Sequence, residues 1–529
     1  MLEQVNLKEK ISKEEYQQRK DELVTRLVRA QQECIREKLP VVVIVEGWSA
    51  SGKGTTISKL VKDLDPRAFR VHSMSAPNDE ERRYPFTARY WQRIGRYGTM
   101  SIFDKSYYKE ALNELLKRLS PGKKGKKPQA PHPVLRDSFD YLTTSETDDV
   151  LLYAESAQIL ERQLIADGYL VVKCYFHVSR DKQRKRLDRL QSNPDTAWRV
   201  TDADRTQSAR YREYYPIIDR LLEATSTADA PWFVIPSDRS RVRRIKFMEV
   251  LADQMEEALA RHREKKEHPI EIPDSYPLPK SRYNLLSMPP IESVSHTLSI
   301  DEQTYHDALE EEQDRLSELQ MVLYKRGIPT MIVFEGWDAA GKGGAIKRVA
   351  SALDARDYRV VPSAAPTPDE KERPFLWRYW TNLPKSGHVC IYDRSWYGRV
   401  MVERIEGFAT AQEWRRAYEE INDFEWELHR TGVLMLKFWI NVSQDEQLAR
   451  FNARKNDPDK AWKLTDEDWR NREKYPQYRE AIDDMLRLTS TDFCPWTIVE
   501  SDDKKYARIK VLRTINAAIE KRLEQEKED

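Results

Sequence analysis

Residues 330–349 read TMIVFEGWDAAGKGGAIKRV, and few stretches restrict a fold as tightly. The apolar run Met331 to Phe334 is too short for a helix and is closed off by glycine, so it reads as a buried strand. Gly336, Gly341 and Lys342 follow in the spacing G-x-x-x-x-G-K, and Ile346, Val349 and Ala350 then recur at helical spacing. A strand that turns through glycines into a helix aims the N–H groups of its loop inward, here those around Ala339, Ala340, Gly341, Gly343 and Gly344. The helix N-terminus adds positive potential at the same point. Lys342 supplies a mobile charge for phosphate oxygens. Gly343 stands where such loops usually carry the Ser or Thr that holds magnesium. Another group must then hold the metal, and Asp338 inside the loop is the first candidate.

The same device occurs twice. Val41 to Val45 is a β-branched run followed by EGWSASGKGTT, so that Gly47, Gly52 and Lys53 repeat Gly336, Gly341 and Lys342 at an offset of 289 (336 minus 47). Ala76-Pro77, Arg89-Tyr90-Trp91, Asp104 and Ser106 keep that offset to Ala365-Pro366, Arg378-Tyr379-Trp380, Asp393 and Ser395. Farther on the offset becomes 264 (437 minus 173), pairing Lys173 with Lys437, Trp198 with Trp462 and Tyr211 with Tyr475. The chain is a tandem duplication whose first copy carries an insertion of 25 residues (289 minus 264), placed at the Lys-, Gly- and Pro-rich stretch 120–133. We expect a first domain over 1–266, a proline-rich linker over 267–300 and a second domain over 301–529. Each copy opens on an amphipathic helix, at 12–39 and 301–326. In the second copy the apolar runs 331–334, 358–361, 388–392, 433–440 and 496–499 alternate with helical patterns. That alternation predicts an α/β fold, a parallel sheet covered by helices on both faces. Ligands bind such sheets beyond the carboxyl ends of the strands, where the glycine loop sits.

Composition removes other classes. The 529 residues carry 89 basic and 88 acidic side chains, a formal charge of +1, so no global field marks a nucleic-acid or membrane-surface protein. No apolar run is long enough to span a bilayer. Cys34, Cys174, Cys390 and Cys494 form no C-x-x-C pair, so neither a disulfide framework nor a structural zinc site is expected. The N-terminal stretch MLEQVNLKEKISKEEYQQRK is charged and lacks the apolar core of a signal peptide, so a cytoplasmic location is expected. Two like domains suit packing as a pseudo-dimer, and a homo-oligomer is left open.

The run HVCIYDRSWYGR places Asp393 at a strand end, where the second acidic group of a phosphoryl-transfer site belongs. Asp338 and Asp393 together would hold Mg²⁺, which favours one or two carboxylates plus water and phosphate oxygens. Cations crowd the same motifs: Arg394, Arg399 and Arg404 after the strand, then Arg450, Arg454 and Lys460. Such groups would clamp a polyanion and the charge of a migrating phosphoryl group. The segment from Gly398 to Phe408 is expected to fold as a lid. Most of the aromatic residues nearby, Trp337, Trp377, Tyr379, Trp380, Trp396 and Tyr397, are expected in the core.

With GWDAAGKGG, APTPDE, DRSWYGR, VMVERIEGF and DPDKAWKLTDED in order, the second copy resembles the second family of polyphosphate kinases. The doubled chain is similar to that family's fused subgroup, the polyphosphate:AMP phosphotransferases. The resemblance implies a P-loop kinase fold with a lid. It also implies reversible, Mg²⁺-dependent, in-line transfer of a phosphoryl group from inorganic polyphosphate to AMP, giving ADP without a covalent intermediate. By the same resemblance Asp338, Lys342, Asp393 and Arg394 are the catalytic group, with Arg399, Arg404, Arg450, Arg454 and Lys460 as neighbouring phosphate ligands. The first copy keeps Gly47, Gly52, Lys53 and Asp104 but has Ser49 for Asp338, Lys105 for Arg394, Leu190 for Arg454 and Thr196 for Lys460. It reads as a degenerate site. Transfer to ADP to make ATP, an ATP-dependent nucleoside monophosphate kinase and a polyanion-binding protein are the alternatives.

Overall fold

The computed structural model describes residues 1–118, 146–269, 272–273, 276–459, 461–463 and 465–528. The expected insertion loop at 120–133 and Lys460 lie outside them. Each copy builds one five-stranded parallel sheet. The first comprises β1 (Val41–Gly47), β2 (Phe69–Ser73), β3 (Met100–Asp104), β4 (Leu170–His177) and β5 (Trp232–Pro236). The second comprises β6 (Thr330–Gly336), β7 (Tyr358–Pro362), β8 (Val389–Asp393), β9 (Leu434–Asn441) and β10 (Trp496–Glu500). The spatial orders are β2-β3-β1-β4-β5 and β7-β8-β6-β9-β10, one topology used twice.

Composition explains which strand is central. Met331, Ile332, Val333 and Phe334 of β6 are at most 1 % exposed, and Val42 to Val45 of β1 are at 0 %. A run with no polar alternation must be covered on both faces, as a parallel sheet between helices is. Each such side chain contributes roughly 1.5–3 kcal/mol on burial. The covering helices start at side-chain caps. The Ser12 hydroxyl accepts from Glu15 N–H at the head of Lys13–Glu37, and Asp301 accepts from Thr304 N–H at the head of Glu302–Arg326. These leading helices lie against the trailing helices Ser240–Glu267 and Lys504–Glu528, with Arg26 paired to Glu256 and Asn516 bonded to Glu312 O.

A matching buried ion pair sits in each core. Lys437 Nζ, fully buried on β9, donates to Glu425 Oε2 at 2.7 Å, Tyr397 OH at 2.9 Å and Thr489 O at 2.7 Å. Lys173 makes the same three bonds to Glu161, Tyr108 and Thr225. All three ammonium donors are used in both copies, which is what makes burial of the charge tolerable.

The copies pack through matching surfaces. Trp91 and its counterpart Trp380 stack on each other at 5.7 Å and 9°. Tyr97 N–H donates to Glu372 O and Ser386 N–H to Arg83 O, a reciprocal pair, since 97 matches 386 and 83 matches 372. Farther along, Ser156 Oγ donates to Glu427 and Gln163 Nε2 to Glu420 O, again with partners exchanged. This is the self-complementary pattern of a two-fold dimer, written in one chain. The linker lies on the second copy: Tyr283 OH bonds Asp423, Leu285 bridges to Thr491, and Ile291 N–H reaches Asp483. Among the described residues no helix is long and apolar enough to cross a membrane.

Candidate active site

β6 and β8 are neighbours, with Phe334 opposite Asp393, so the glycine loop after β6 and the carboxylate ending β8 leave the same edge of the sheet. The loop's shape is forced by its residues. Gly336 has φ +153°, and a Cβ there would lie 2.4 Å from Ile440 O, so the loop passes β9 only as glycine. Gly341, at φ +112°, turns the chain into the helix Lys342–Ser351. Two residues with side chains also take the left-handed region, Ala339 at φ 58° and Arg394 at φ 63°. Their counterparts Ala50 and Lys105 do the same. Strain of this kind persists where surrounding structure imposes it, typically at a site.

Asp338, Lys342, Asp393, Arg394 and Arg454 line one groove with the loop residues Ala339 to Gly344. Lys342 Nζ donates to Gly336 O at 2.6 Å and Trp337 O at 3.1 Å. Burial lowers its pKa, and Asp338 is the chief group opposing that shift. Arg394 donates to Asp338 Oδ1 at 3.2 Å; burial works against its charge, but Asp338 and Glu335 outweigh it and hold the pKa above the ordinary value. Glu335 lies beneath, accepting from Ser395 Oγ at 2.8 Å, its pKa raised by burial.

A second, more enclosed cavity of about 230 Å³ opens off the groove. The two share Trp337, Asp338, Ser363, Ala364 and Arg394, so Asp338 and Arg394 stand at the junction. The enclosed side is largely apolar, with Pro366, Tyr379, Met401, Val402, Phe408 and Ile482, and carries Arg378 and Arg472 as cations. Asp338 is aimed from behind: Asn471 Nδ2 donates to its Oδ2 at 2.8 Å and Gln447 Nε2 to its carbonyl at 3.0 Å.

Not every expected phosphate ligand reaches the groove. Arg450 is 5 % exposed and spends its guanidinium on the carbonyls of Ala339, Ala340, Ser501 and Asp502, with Nε on Glu446. It braces the loop from outside. Arg404 is held by Asp484 at 2.9 Å and Glu480 at 3.1 Å and lies over the Trp414 ring. Arg399 pairs with Glu403 at 3.1 Å over Phe375. Neither lines the groove or the enclosed cavity. Within the segment expected as a lid, Gly398 to Phe408, only Val400 and Met401 are buried, and Phe408 is exposed. Only Gly398, Met401, Val402, Glu403 and Phe408 face the enclosed cavity. The helix Asp466–Glu473 supplies Glu467, Asn471 and Arg472 to the opposite wall. Of the six aromatics, Trp337, Tyr379, Trp380, Trp396 and Tyr397 are buried in the core as expected and Trp377 is half-buried, with Trp337 also stacked on Tyr475 at 4.6 Å beside the cavity.

Arg378, Gln447, Asn471 and Arg472 escaped the sequence reading as site residues. One signal for Gln447 was present: its counterpart Gln183 (447 minus 264) is also glutamine.

The family model described as polyphosphate kinase 2 matches residues 10–128, 142–263 and 299–527. A polyphosphate:AMP phosphotransferase of Pseudomonas aeruginosa is 37 % identical over 521 residues, 98 % of this chain and 99 % of that protein. One of Acinetobacter johnsonii is 31 % identical over 477 residues, 90 % of each. A crystal structure of a polyphosphate kinase 2 from Pseudomonas aeruginosa superposes with a TM-score of 0.81 at 34 % identity, covering 99 % of this chain and all of the other.

Proposed function

The chain belongs to the polyphosphate kinase 2 family, and on that premise we propose that its second copy moves a phosphoryl group from inorganic polyphosphate to AMP, forming ADP. What supports this assignment is the junction of two unlike cavities at Asp338 and Arg394. The open groove at the glycine loop suits a bare phosphate chain. The enclosed, largely apolar cavity suits a nucleoside, with its phosphate directed toward Arg394.

The acceptor oxygen belongs to a phosphate already ionised near neutral pH, so no strong general base is required. That oxygen attacks the terminal phosphorus of the donor, the bond to the bridging oxygen breaks in line, and the shortened chain leaves with the electron pair. Catalysis then reduces to alignment and charge neutralisation. Lys342 and the loop N–H groups hold donor oxygens, and phosphate beside Lys342 would further favour its charged form against the effect of burial. Arg394 reaches toward both cavities and is placed to follow the migrating group, with Arg454 on the donor side. Asn471 and Gln447 keep Asp338 aimed at the junction.

The donor set fits a magnesium ion shared with substrate. Asp338 and Asp393 are hard oxygen ligands in one groove, and among the described residues no cluster of three ligating side chains would cage a metal without phosphate. When bound, the ion would neutralise charge on the donor's oxygens.

The deciding assay supplies purified protein with terminally labelled polyphosphate and AMP, with and without magnesium, beside ATP as donor. Labelled ADP from polyphosphate, dependent on the metal, is the expected result. Faster phosphorylation of AMP by ATP would overturn the assignment.

A further inference from the structure

The first copy's groove has not simply decayed. Around Gly47 to Thr55 it opens into a single cavity of about 900 Å³, which spans the positions of both the second copy's phosphate groove, about 500 Å³, and part of its enclosed cavity, about 230 Å³. Nine basic side chains line it against four acidic ones, whereas the second groove has three of each. Most of the surplus comes from specific replacements, since only Arg186 and Arg199 among the added cations have basic counterparts, Arg450 and Lys463. Lys182, Lys185, Arg189 and Arg243 stand where the second copy has Glu446, Ala449, Ala453 and Ala507, each at the offset of 264 (446 minus 182). Ser49 removes the acidic group of Asp338, and Lys109 adds a charge in place of Gly398.

These cations are available for a ligand. Among the described residues Lys105, Lys109, Lys182, Lys185, Arg189 and Arg199 make no ion pair, although all six line the cavity. Arg243 lies against the loop, its guanidinium carbon 2.6 Å from where a Cβ on Gly52 would be. The acids are largely spent. Asp238 accepts from Ser179 N–H and Oγ, Asp204 from Ser49 and Thr201, and buried Glu46 from Ser106. Asp104 remains, with a buried Oδ1 that has no partner. In the loop itself Ser51, 1 % exposed, lines the cavity with its hydroxyl unpartnered.

The acceptor side is narrower. Ser75, Ala76, Pro77 and Tyr90, which match Ala364, Ala365, Pro366 and Tyr379, border a space of about 140 Å³ against about 230 Å³ in the second copy, meeting the large cavity at Lys105 and Lys109. Among the described residues no aromatic side chain lines the large cavity, so none of them offers a platform on which a base would stack. We infer that the first copy is a non-catalytic binding site for inorganic polyphosphate, a second grip on the donor chain used by the other copy. The choice of condensed phosphate over another polyanion rests on the proposed function; the presence of an anion site does not.

The test uses full-length protein and polyphosphate of defined length, with binding read by calorimetry. In the Lys342→Ala background one polyphosphate site should remain, and its affinity should fall steeply with salt as counterions are released. Adding K182E, K185A and R189A, the second copy's own residues on an exposed helix face, should abolish that site. Introduced alone, the triple change should leave kcat with a short, saturating donor within about twofold and raise the KM for long chains severalfold. Lys53→Ala in the Lys342→Ala background is a second route to the same loss. Absence of the remaining site, its persistence through the triple change, or tighter binding of ATP or RNA there would overturn the inference. A protein that binds polyphosphate twice but does not phosphorylate AMP would instead count against the proposed function alone.

Discussion

Lys53 and Lys342 occupy equivalent positions and make the same bonds, each ammonium capping the two carbonyls that open its loop. What separates them is their surroundings. Lys342 shares its groove with Asp338, Asp393 and Arg394, while beside Lys53 the first of these is Ser49, whose hydroxyl is bound to Asp204 at 2.6 Å. Transition-state charge is stabilised only where donors and counter-charges converge on the migrating group, and one such group is worth about 10²–10³ in rate. Lys342→Ala should therefore lower kcat for AMP phosphorylation by about 10²-fold or more. Lys53→Ala should leave the rate at saturating short donor within about twofold. Steady-state rates of the two variants, measured side by side, check this; equal losses would mean that both copies turn over.

At the scale of elements, the braces behind the loops make the same four carbonyl bonds. Arg450 binds four carbonyls in the second copy, and Arg186 binds those of Ala50, Ser51, Ser237 and Asp238 in the first. A guanidinium retained in the copy that lacks Asp338 serves the fold rather than the chemistry. Arg450→Met strands buried carbonyls, and we expect roughly 3 kcal/mol of destabilisation. Urea unfolding should detect it, and Arg186→Met should destabilise the first copy comparably without a matching loss of turnover. Unchanged stability with weakened donor binding would instead make Arg450 a phosphate ligand. The strands were legible because five apolar runs and two glycine loops leave little choice of architecture. The carbonyl bonds of Arg450 were not legible because charge in a sequence does not say which carbonyls surround it, although the arginine at the matching position 186 hints at a shared structural part. Asn471 and Gln447 were invisible for another reason: they reach Asp338 across 133 and 109 residues of chain. The Gly398–Phe408 segment was legible as a cover because glycine and charge punctuate it, and it starts from a fixed point, since the preceding Tyr397 is anchored by Glu425, the partner of Lys437.

The molecule as a whole is held along a seam that carries its own titration. Asp167 of the first copy and Glu420 of the second share Arg416, at 2.9 Å and 3.0 Å, and Tyr97 OH donates to Asp167 at 2.7 Å. Burial, only partly offset by Arg416, pushes Asp167 up to about 6 and Glu420 up to about 7, with Arg399 assisting the offset at both and Glu413 opposing it at Asp167. Glu420 Oε2 is buried without a partner, an environment that favours the protonated acid. An unfolded chain releases these protons near pH 4, whereas the folded chain keeps them toward neutrality. The folded state therefore binds more protons between about pH 4 and 7, and stability falls as pH rises through that window. The cost of ionising Glu420 in place is roughly 3 kcal/mol. The urea midpoint should drop between pH 5 and pH 8, and Glu420→Gln, which copies the neutral acid, should flatten that slope. Parallel profiles for wild type and variant would mean that the pH dependence arises away from the seam between the two copies.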